Sequence, residues 1–60
     1  MKDSDIIQEA YEETVKKLFS IFYDPYVGAS TQQEKQQAEQ RFKAALKSAR
    51  DCRDRALVNL

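Results

Sequence analysis

The sixty residues carry ten Lys and Arg against ten Asp and Glu, with one Cys, one Gly, one Pro and no His or Trp. A single Cys excludes an intramolecular disulfide, and one Cys without His excludes the usual structural zinc sets. Zero net charge argues against a dedicated DNA binder, and no apolar run approaches the ~20 residues of a membrane span.

The start, Met1-Lys2-Asp3-Ser4-Asp5, shows no apolar secretory stretch. With a lone thiol it makes the cytoplasm the expected compartment. A chain of this length forms at most one domain, 1–60, and buries only about 60% of its unfolded surface. Such small chains usually need a disulfide, a metal or a partner to hold them. Association is the device left over.

The first periodic segment spans about 5–23. Ile7, Tyr11, Val15, Leu18 and Phe22 recur in steps of four, four, three and four, which is one face of a helix. Asp3, Ser4 or Asp5 is expected to cap it. Glu12 with Lys16, and Glu13 with Lys17, have the spacing and order of favourable pairs on a helix surface. Pro25 disfavours helical geometry at Asp24, so the helix is expected to stop near Tyr23. A loop over 24–30, containing Pro25 and Gly28, then follows.

Thr31-Gln32-Gln33-Glu34 has the form of a capping box and opens a second helix, about 32–58. In it Ala38, Phe42, Ala45, Ala49, Cys52 and Ala56 recur at heptad spacing, with Leu46, Arg53, Leu57 and Leu60 widening one edge. Glu39 with Lys43, and Asp51 with Arg55, repeat the helix-pair pattern. A short loop makes two helices antiparallel neighbours. The expected fold is therefore all-α, an antiparallel helical hairpin in which large side chains face small ones.

The hairpin is expected to pair into a dimeric four-helix bundle. With Tyr23 beside Gln32, facing residue numbers sum to about 55, and residues 51–60 overhang the first helix by roughly 15 Å. That overhang carries Cys52, Leu57, Val58 and Leu60. The apolar arc of the first helix is also wider than one two-helix seam requires. Ile7, Tyr11, Val15, Leu18, Phe22, Phe42, Leu46, Cys52 and Leu57 are the expected core and dimer-interface residues. Parallel and antiparallel dimers both satisfy this pattern.

Chemistry is sparse. Glu9, Glu12 and Glu13 lack the His partners of a di-iron bundle and face away from the apolar stripe. Cys52 has no base to make it a nucleophile, so it reads as a small hydrophobe or an intersubunit disulfide partner. Gln32, Gln33, Gln36, Gln37 and Gln40 read as a solvated helix face. Lys35 and Arg53 fall inside the apolar arc of the second helix. Arg53 either lays its stem over apolar surface or pairs with a carboxylate across an interface. No metal or cofactor is expected, and with no His, phosphate loop or activated nucleophile no enzymatic activity is expected either.

Two sets of residues are candidate partner sites. Phe19, Tyr23 and Tyr26 cluster near the loop, where aromatics either plug the bundle end or bind another protein. Lys43, Lys47 and Arg50 line an outer face of the second helix, interrupted by Asp54. Residues 1–30 hold three bases against six acids, net −3, and residues 31–60 hold seven against four, net +3. The expected function is a small interaction or regulatory protein that binds a partner protein as a homodimeric bundle. The alternative is RNA binding through the basic face.

Overall fold

In the computed structural model, which describes residues 2–60, two helices form an antiparallel hairpin. α1 spans Asp3–Val27 and α2 spans Gln32–Val58. The pair makes a flat layer, 45 × 17 × 8 Å between Cα extremes.

α1 is longer at both ends than its sequence pattern suggests. Lys2 occupies the N-cap in extended geometry without a side-chain cap, so none of Asp3, Ser4 and Asp5 caps the helix. The Asp5 and Ile6 amides donate to the Lys2 carbonyl, and Asp3 and Asp5 add negative charge to the first turn.

At the other end the helix runs through Pro25, and the expected 24–30 loop shrinks to residues 28–31. A proline inside a helix costs about 3 kcal/mol, because one amide donor is lost and the ring crowds the preceding turn. Contacts of Tyr26, and of the Phe22 ring on which it packs, offset part of this. The Phe22 and Tyr26 rings lie 5.1 Å apart, Phe22 stacks on Phe42 at 4.7 Å, and the Lys35 ammonium sits 5.6 Å from the Tyr26 ring centre. Aromatic pairs contribute about 0.5–1.5 kcal/mol each beyond area burial, and an exposed cation–π contact about 0.5–1. Only the final turn must tolerate the proline. Gly28 then ends α1 in right-handed geometry, with its amide donating to Asp24 O at 2.9 Å.

α2 starts as its sequence indicates. The Glu34 N–H donates to Thr31 Oγ1 at 3.1 Å. The Glu34 carboxylate reaches back to the Ser30 N–H at 3.1 Å, one residue earlier than the capping box places it. Asn59 closes the helix by donating from its side chain to Arg55 O at 2.7 Å.

The register differs from expectation. Tyr11 faces Arg53 and Phe22 faces Phe42, and each pair of residue numbers sums to 64 rather than about 55. Leu60 therefore comes level with Ser4, and the 15 Å overhang does not exist. Continuing α1 past Pro25 shortens the connection and slides α2 back along its partner.

The ion pairs among the described residues are Lys16–Glu13 at 3.1 Å and Arg53–Asp54 at 3.0 Å. None of the four pairs expected at spacing four is closed. Long exposed side chains gain little from such pairing.

Candidate functional site

The seam between the helices is built from Ile7, Tyr11, Val15, Leu18, Phe22 and Tyr26 on α1, all half-buried. Facing them are Lys35, Ala38, Phe42, Ala45, Leu46, Ala49, Arg53 and Ala56 on α2. Only Ala38, at 7% exposure, is buried. Two helices close one side of each apolar stripe and leave the flanks open.

Seven of the nine expected core residues lie in this seam. The other two do not. Cys52 is exposed, and Arg53 takes the inward place expected for it. Leu57 is 37% exposed. At 3.6 residues per turn position 53 points the same way as position 35, five turns earlier, so Arg53 faces α1 and Cys52 falls at the edge of the seam. Arg53 lays its guanidinium 4.4 Å from the centre of the Tyr11 ring while Nε donates to Asp54 Oδ1 at 3.0 Å. Within the hairpin its carboxylate partner is thus its own chain neighbour. The sequence placed Arg53 within the apolar arc; the structure adds that its flat guanidinium face packs on the Tyr11 ring.

The layer has two faces. At 3.6 residues per turn, Ile7, Thr14, Leu18, Ile21 and Pro25 fall on one side of α1. Two grooves open between the helices on that side. The groove near the connection has a volume of about 300 Å³, and Ile21, Pro25, Ala38, Arg41 and Ala45 are among its walls. The groove near the open end, about 200 Å³, lies between Ile7, Tyr11 and Thr14 on α1 and Ala49, Cys52 and Ala56 on α2. Ile21 stands out from this face at 69% exposure.

Phe19 and Tyr23 project from the opposite side of the seam, their rings 6.1 Å apart. Phe19 is 55% exposed. Tyr26, the third aromatic candidate, is instead held in the seam by Phe22 and Lys35. Lys43, Lys47 and Arg50 are all exposed on the outer side of α2 and have no ion-pair partner among the described residues.

Among the described residues, no three His, Cys, Asp or Glu side chains gather as metal ligands would, and no helix is long and apolar enough to cross a membrane. No protein-family model matches this chain, and no curated protein or solved structure matches it significantly.

Proposed function

We propose that this chain is a non-catalytic interaction protein that works as a homodimeric helical bundle and presents its outer surfaces to a protein partner. The observation that carries this reading is the grooved apolar face, where a continuous row of side chains has nothing packed on it. A soluble protein seldom leaves such a surface open unless something docks there. The register removes the overhang as a reason for pairing, and the open face supplies a stronger one.

Light scattering over about 1 to 100 µM, with helicity followed in parallel, tests the proposal. A dimer has a mass of twice 7.0 kDa and keeps its helicity across that range. A folded species that stays at 7.0 kDa throughout would refute it.

The exposed, unpaired Lys43, Lys47 and Arg50 favour RNA binding as a second reading. It requires salt-dependent binding that disappears when all three become Ala.

A further inference from the structure

We infer that the grooved face is the dimer interface, that its occupant is a second copy of this chain, and that the two copies stack with their connections at the same end. The inference rests on the homodimer reading above and adds the face and the arrangement to it.

A compact monomer of 7.0 kDa exposes about 4,000 Å². This hairpin exposes 4888 Å², roughly 850 Å² more. A standard protein–protein interface removes about 800 Å² from each partner. Covering one long face of the layer would bring each copy to the exposure of an ordinary globular protein.

On the grooved face α1 carries the bulk, in Ile7, Leu18 and the projecting Ile21. The apolar residues of α2 there are mostly small, Ala38, Ala45, Cys52 and Ala56, with the longer Glu34, Gln37 and Arg41 also lining the groove near the connection. Large side chains pack best against small ones. Each α1 should therefore lie over the α2 of the other copy, with Ile21 entering the groove beside Ala38 and Ala45.

Charge selects between the two possible twofold arrangements. Within its span α1 has six acids and two bases, net −4. α2 has four acids and seven bases, net +3. With the connections at the same end, the twofold axis runs along the helices and sets α1 over the partner α2. Every adjacent pair of helices in the bundle then has opposite charge. With the connections at opposite ends, α1 lies over α1 and α2 over α2, so like charges meet along both contacts. Asp24 and Arg41 show the effect locally. The first arrangement brings them to one level across the interface, whereas the second brings Arg41 toward the partner's Arg55. Complementary charge suppresses the wrong arrangement more than it adds affinity.

Three variants test this. Ile21→Glu places a charge at the proposed contact but at an open position of the monomer, so the hairpin should stay folded while its dissociation constant rises at least about 100-fold. Phe19→Glu, on the other face, should leave the dissociation constant within about threefold. For the arrangement, spin labels are attached at Ser30→Cys in a Cys52→Ser background. Connections at the same end place the labels about 20 Å apart, the width of two helices. Opposite ends would place them near the full 45 Å length of the hairpin.

Dimers weakened by Phe19→Glu and not by Ile21→Glu would overturn the choice of face. Label separations near 45 Å would overturn the arrangement. Both results leave a dimer standing. A wild-type chain that is monomeric throughout would overturn this inference together with the homodimer reading.

Discussion

The Tyr11–Arg53 contact offers a direct test of the register. The guanidinium carbon lies 4.4 Å from the ring centre, and the Arg53 side chain is 25% exposed. Cation–π contacts contribute about 0.5–1 kcal/mol at exposed sites and about 2 when desolvated. This partly covered one should contribute about 1 kcal/mol. In the register with a sum near 55, Arg53 would come level with Lys2, and Tyr11 with Ala44, so the two would not couple. A double-mutant cycle with Tyr11→Leu and Arg53→Met keeps side-chain volume while removing ring and charge. Urea unfolding of all four proteins at one concentration, followed by far-UV circular dichroism, gives the coupling energy. For 60 residues the unfolding entropy is about 0.13 kcal/mol/K, so 1 kcal/mol appears as about 8 °C in Tm. A coupling below about 0.3 kcal/mol would refute the register derived from this pair.

Three further outcomes follow from the same geometry. Thr31→Ala removes the acceptor of the Glu34 amide and should lower stability by about 1 kcal/mol, while Thr31→Ser should retain most of it; thermal melts compare the two. Pro25→Ala restores an amide donor inside the last turn of α1 and should stabilise by about 1–2 kcal/mol with a gain in helicity. A destabilised variant would mean that the pyrrolidine ring packs better than its backbone cost. Phe42→Ala breaks the 4.7 Å stack with Phe22 and should cost about 2–3 kcal/mol, below the range for a fully enclosed Phe because the site is half-open. In a hairpin with one buried residue among those described, that loss should leave the chain largely unfolded at low concentration.

The sequence by itself determined the two helices, because their signals are local. Four-and-three spacing marks the inner face of each, and Thr31 with Glu34 marks where the second begins. Seven seam residues follow from that spacing alone, from Ile7 to Leu46. Their common lever is burial of an apolar stripe, which needs no knowledge of the partner.

Only the tertiary structure decided how the helices slide along each other. Pro25 reads as a stop because its local cost is about 3 kcal/mol, but contacts between the helices, Phe22 with Phe42 and Lys35 with Tyr26, offset part of it and are not visible in the local sequence. Four more residues of helix, from Asp24 to Val27, then change which side chain meets which along the whole seam. That is why Arg53 comes level with Tyr11, and why the overhang vanishes. An Ala-rich stripe fits a partner helix in more than one register, so its periodicity fixes the face and leaves the alignment to long-range contacts. The grooved face is legible only at this level, because it is made by side chains of both helices once they are aligned.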